Sequence, residues 1–236
     1  MNLPPPAVSP PTPSTRGDAT RDALVAAAMP IFGRDGFHAA STRAIAEAAG
    51  VNQALIGYHF RGKDGLYLAV FEHIVQQLSL RMGPVAGAIE AELGAGEAAP
   101  LSRERALALL RQLTNRMVAL MAQEQTATWA QLILREQQAP SAAFNVLYEG
   151  FMGRLLTLLT RLMLCVRGGD EAEARLLAVT LVGQVQVFRT ARAGVLRHLG
   201  WSRIGDEEIA AAQRRVFNNL SAQLATADPP SSGRAP

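Results

Sequence analysis

The 236-residue chain is 49% hydrophobic but only 6% aromatic, with its apolar content carried by alanine and leucine. That length suits one large domain or two small ones, and strictly alternating β-branched runs are lacking, so an all-α fold is expected. A net charge of +3 and a pI near 9.6 permit nucleic-acid binding without demanding it, and the lone Cys165 excludes an intrachain disulfide, consistent with a cytoplasmic protein.

Residues 1–15 are proline-rich, without the charged start and apolar stretch of a signal peptide, and are expected to form a disordered tail. A first helix is expected over Thr20–Arg34, with Leu24, Ala27, Ala28, Ile31 and Phe32 on one stripe, a kink at Pro30 and an end at Gly36. A short helix follows over Thr42–Ala49, capped by Ser41 or Thr42, then a Gly50-Val51 turn and a third helix over Gln53–Phe60 capped by Asn52. Ile45, Ala49, Ile56 and Phe60 face inward, which turns Ala54, Leu55 and Tyr58 outward and puts His59 on the flank. This is helix-turn-helix logic. In a major groove Leu55 is placed to meet a thymine methyl and Gln53 an adenine, while Tyr58 and His59 suit phosphates or base edges. Lys63, the only lysine, opens the fourth helix, where the helix N-terminus also favours a phosphate. Between Arg16 and Leu66 six basic residues face five acidic ones, so placement rather than net charge must serve binding.

The fourth helix is expected to run from Lys63 to about Met82, with Gly83-Pro84 breaking or kinking it. A glycine-rich linker over 94–100 precedes helices near 101–123, 125–138, 141–167, 170–199 and 205–224. A second disordered tail is expected over 226–236. Phe144, Leu147, Phe151, Leu155, Leu158, Leu162 and Cys165, spaced 3, 4, 4, 3, 4 and 3, form a near-heptad seam. Leu177, Leu181, Val185, Phe188, Arg192, Val195 and Leu199 form a second stripe. Each suits intrachain core or, as two helices per subunit, a four-helix homodimer interface. No apolar run reaches the ~20 residues that a membrane span needs.

Arg21-Asp-Ala-Leu, Phe32, Gly36-Phe37, Thr42, Ile45-Ala46, Ala49-Gly50-Val51, Tyr58-His59-Phe60, Lys63 and Leu66 together resemble the TetR family of regulators, over about residues 20–70. The resemblance implies a DNA-binding helix-turn-helix domain over 16–66 and a helical ligand-binding and dimerisation domain over 67–225. It also implies a homodimer on a palindromic double-stranded operator, released by a small-molecule effector, as a repressor rather than an activator. By position, the DNA contacts fall on Thr42, Arg43, Gln53, Ala54, Leu55, Tyr58, His59 and Lys63. Gly57 stands where the family usually carries a phosphate-binding tyrosine, a role Tyr58 is placed to assume. Trp129 and the run Arg135–Phe144 resemble the C-terminal domain of the family's CecR-type branch, associated with transporter and drug-sensitivity genes. An effector pocket is expected between the fourth helix and the helices near 105–135 and 171–190, with Met117, Met121, Trp129, Phe151, Gln184 and Phe188 as candidate lining. Arg135 and Glu136 read as a solvated face or a salt bridge.

Two other classes fit less well. A helical enzyme would need a site, yet His38, His59, His73 and His198 lack metal-ligand spacing and there is no phosphate loop or GxSxG. Cys165, on the apolar seam, reads as core rather than nucleophile, and no metal or cofactor is expected. A helical interaction protein that has lost DNA binding is favoured only by Gly57.

Overall fold

Helix α1 spans Arg16–Ala39 and buries Leu24, Val25, Ala28, Ile31 and Phe32. The computed structural model describes residues 16–95 and 101–225; the expected tails, and most of the expected linker, lie outside them. Pro30, where a kink is expected, lies inside the helix, and the non-helical residue is Gly36, at φ 79° and ψ 169°, where the helix end is expected and two helical stretches meet across a kink. Pro30 and Ala26, whose carbonyl loses its usual N–H partner, both sit on the exposed face, where water can satisfy that oxygen.

Helices α2 (Thr42–Ala48) and α3 (Ala54–Phe60) follow, and α4 runs from Lys63 to Ala95. The expected break at Gly83-Pro84 is absent; α4 continues through Pro84, whose side is exposed. Then come α5 (Arg103–Ala122), α6 (Ala127–Gln138), α7 (Ala142–Leu147), α8 (Gly153–Arg167), α9 (Glu171–Thr190), α10 (Arg192–Leu199) and α11 (Asp206–Ala225). Among the described residues there is no strand, and the fold is all-α.

The chain divides into two compact units between Val70 and Phe71. In the first, α1 packs on α2, and Phe32, Phe37 and Tyr67 form an aromatic cluster with ring centroids 5.0 to 6.2 Å apart. In the second, α5 packs against α8, α9 and α11, and α8 packs against α9. Leu109, Leu110, Leu113, Leu159 and Leu162 are each at most 1% exposed there.

Two expected long helices are divided. The helix expected over 141–167 is interrupted by a π turn at Tyr148–Met152. Beyond it Leu158 and Leu162 keep the buried places the seam assigns them, while Cys165 is exposed, not core, and the neighbouring Val166 is buried. The helix expected over 170–199 breaks at Ala191 (φ −109°, ψ 24°). Of the second stripe, Leu177, Leu181 and Val185 are intrachain core, Phe188, Arg192 and Val195 are half-buried, and Leu199 is exposed. A different face of α9, with Leu176, Val179 and Val187, stands open.

Candidate nucleic-acid interface and apolar cavity

The helix-turn-helix is built by local chemistry. The Ser41 hydroxyl accepts from the Ala44 N–H at 3.4 Å and caps α2. Gly50, at φ 67°, turns the chain in a conformation that costs a Cβ-bearing residue free energy. The Val51 N–H donates back to the Ala46 carbonyl at 3.0 Å, which closes the turn. The Asn52 carboxamide oxygen accepts from the Ala54 N–H at 2.8 Å and starts α3. Ile45, Ala46, Ile56 and Phe60 are buried beneath. Arg21 lies over the Phe60 ring at 5.5 Å and covers that end of the small core.

With Ile56 and Phe60 inward, Gln53, Ala54, Gly57 and Tyr58 are exposed, Tyr58 at 81%. Leu55 departs from the expected open face; it and His59 are half-buried. The His59 ring meets Tyr58 edge-on, with centroids 4.9 Å apart. Gln53 donates to the Thr42 hydroxyl at 2.9 Å and ties the start of α3 to α2. Arg43 pairs with Glu47 at 2.9 Å, both ends well exposed, so the pair is weak and readily exchanged for a phosphate. Lys63 is not a free cation: its Nζ donates to the His38 carbonyl at 3.0 Å and sits 4.8 Å from the Phe37 ring centre. An ammonium has three donors, so this anchorage leaves hydrogens for a phosphate while fixing the position of the charge. A Cβ at Gly57 would meet open space, so nothing in the free protein requires glycine there.

The second unit holds a cavity of about 310 Å³ among α4, α5, α6, the π turn, α8 and α9. Met117, Met121, Trp129 and Phe151 line it. Gln184 and Phe188 do not, which corrects their placement in the expected pocket. At 100° per residue they lie beyond the edge of the α9 arc that lines the cavity, which runs from Gly183 through Gln186 and Val182 to Val185. The Gln184 side-chain oxygen is instead buried with no hydrogen-bond partner among the described residues. Arg81 stacks 4.8 Å from the Trp129 ring centre, and Arg81 is in turn held to the Gln77 side chain at 2.7 Å, which fixes one cavity wall. Glu136 is buried, and its carboxylate accepts from the Ser141 N–H at 2.9 Å and hydroxyl at 2.8 Å; it secures the α6–α7 corner rather than a solvated face.

The lining also includes Arg189, which the sequence reading passed over. The signal was present: Leu181, Val185 and Arg189 are spaced four apart, and all three are buried. A stripe through Phe188 and Arg192 competes with it, and packing decides between them.

Comparison with known proteins then decides the family. The profile described as "Bacterial regulatory proteins, tetR family" matches residues 24–70, and that of the "HTH-type transcriptional dual regulator CecR, C-terminal domain" matches residues 106–226. The HTH-type transcriptional dual regulator CecR of Shigella flexneri is 32% identical over 87% of this chain and 92% of its own length. The chain belongs to the TetR family. The TetR fold is matched by the FadR regulator of Bacillus subtilis crystallised with stearoyl-CoA (TM-score 0.56, 17% identity, 84% of this chain and 96% of FadR). It is matched too by AibR, crystallised with isovaleryl coenzyme A and operator DNA (TM-score 0.61, 11% identity, 85% of this chain and 97% of AibR). As a TetR-family member the chain is a DNA-binding transcriptional regulator and not an enzyme. Among the described residues no helix is long and apolar enough to cross a membrane.

Proposed function

We propose that this TetR-family regulator is a cytoplasmic homodimeric repressor that binds a palindromic operator and is released by a small, partly apolar effector. Residues 16–66 are the DNA-binding domain, and 67–225 the effector-binding and dimerisation domain. The contacts to DNA come from Thr42, Arg43, Gln53, Ala54, Leu55, Tyr58, His59 and Lys63. The observation that carries the reading is the outward face of α3: Tyr58, 81% solvent-exposed, stands with the exposed Gln53, Ala54 and Gly57 on a helix held in place by the buried Ile56 and Phe60, the face a major groove would meet. Pairing of two subunits through α9 is supported by the exposed Leu176 and Val187, which flank the cavity-lining Val179 on it. Effector binding in the α4–α9 cavity acts through its differential affinity for DNA-competent and incompetent dimers, with α4 the chain's link between the units. Support for an effector site also comes from FadR and AibR, whose crystals hold acyl-CoA ligands. Transporter or drug-sensitivity genes are the proposed targets.

A gel shift with the DNA upstream of the protein's own gene tests the reading. A palindrome there should be retarded at low salt and released steeply as salt rises; no retarded band at low salt would sink it. A dual role is the second reading, because the Shigella relative is named a dual regulator. Transcription in a strain lacking the regulator separates the two: targets that only rise support a repressor, while targets that fall support the dual role.

A further inference from the structure

Among the described residues lining the cavity, Arg189 is the one charged side chain, on walls otherwise built from Leu, Met, Val, Ile, Trp and Phe with a few neutral polar groups. It is only 9% exposed. Its Nε donates to the Met121 carbonyl at 2.9 Å, and its Nη2 donates to the Gln123 carbonyl. Those bonds engage two of the five N–H hydrogens of a guanidinium. The nearby carboxylate of Glu124 is directed to Arg192, at 3.3 Å. Burial, and then the charge of Arg192, push the Arg189 guanidinium below its ordinary pKa, opposed by Glu124. A buried cation held by neutral carbonyls is under-compensated, and an entering anion relieves that cost through a charge-assisted, bidentate contact.

We propose that the cavity takes an amphipathic monoanion, its carboxylate seated on Arg189 and its alkyl or aryl body lying along Met117, Met121, Trp129 and Phe151. This rests on the reading of the cavity as the effector site and adds the chemical class of the effector. Gln186 and Thr190, on the same wall as Arg189, supply neutral hydrogen-bonding groups beside the head. A purely structural Arg189 would tie down the end of α5 through the same two carbonyls but would not discriminate between ligand heads.

Calorimetric titration of the full-length protein at pH 7.5 with decanoate and with 1-decanol separates these roles. Decanoate is expected to bind at least about tenfold tighter, a ratio typical of one charge-assisted contact. Arg189→Gln should bring the two affinities together while leaving decanol binding within about twofold, and Arg189→Lys should keep part of the preference. Equal binding of both probes by the wild type overturns the anion and leaves the cavity reading standing. Binding of neither overturns both. A decanoate preference that persists in Arg189→Gln places the anion elsewhere and also overturns the assignment. Should Arg189→Gln not fold, the wild-type ratio and its reduction in Arg189→Lys decide.

Discussion

Tyr58, Gly57 and Lys63 sit within six positions of one another yet stand in different physical situations. Tyr58 is open to solvent, so Tyr58→Ala should change stability by under about 0.5 kcal/mol while weakening operator binding, as a thermal melt and a gel shift would read together. Lys63 is tied to the His38 carbonyl and the Phe37 ring, so Lys63→Ala should weaken DNA binding and also lower the melting midpoint. The slope of log affinity against log salt should fall by about one for that variant; an unchanged slope would remove Lys63 from the phosphate contacts. Gly57 has helical backbone and open space at its Cβ, so Gly57→Ala should stabilise by about 0.5–1 kcal/mol, read as a higher melting midpoint. The inward residues of the helix-turn-helix were legible because period, cap and turn chemistry agree on them. Leu55 was not: a seven-residue helix seated in a shallow corner leaves its flank half-covered, and periodicity alone does not say how far the covering reaches.

At the scale of elements, the π turn at Tyr148–Met152 and the break at Ala191 were invisible, because apolar spacing runs on through both. Gly150 gives the clue. A Cβ there would come 2.7 Å from Val75 Cγ1 on α4, so glycine lets the π turn approach that helix. Gly150→Ala should destabilise by about 1–3 kcal/mol by overpacking, and adding Val75→Ala should recover part of the loss in a double-mutant cycle of denaturant melts. No recovery would mean that the close approach is not the cause. Pro30 and Pro84 teach the converse: prolines that read as kinks or breaks are carried inside long helices where they stand on exposed faces.

For the whole molecule, the all-α class and the family were legible from the first seventy residues and one C-terminal stretch, while the apolar cavity of the second unit was only half legible. Four of its proposed wall residues converge, but the charged one lay on a stripe whose register is decided by packing. Surface charge should contribute little to global stability. Arg154, mainly by hydrogen bonding, holds the Glu90 carboxyl below the usual range, as Arg105 does for Glu92. A lowered carboxylate pKa gives stability that is present above the unfolded value, about 4.3 for Glu, and is lost as pH falls through the lower folded value. Because the Glu90–Arg154 pair is substantially exposed, Glu90→Gln should cost at most about 1 kcal/mol at pH 7. The difference in melting midpoint from wild type should vanish below the folded pKa; a constant difference down to strongly acidic pH would argue against the ion pair.

The open end of the near-heptad seam has a practical return. Cys165, the chain's single thiol, stands exposed to solvent on α8. A maleimide fluorophore or nitroxide therefore attaches at one defined position per chain, without engineering away other cysteines. In a paired molecule the two labels become a molecular ruler. Their separation in the proposed dimer, measured by dipolar spectroscopy with and without a ligand in the cavity, would read any rearrangement between subunits directly, in the native sequence.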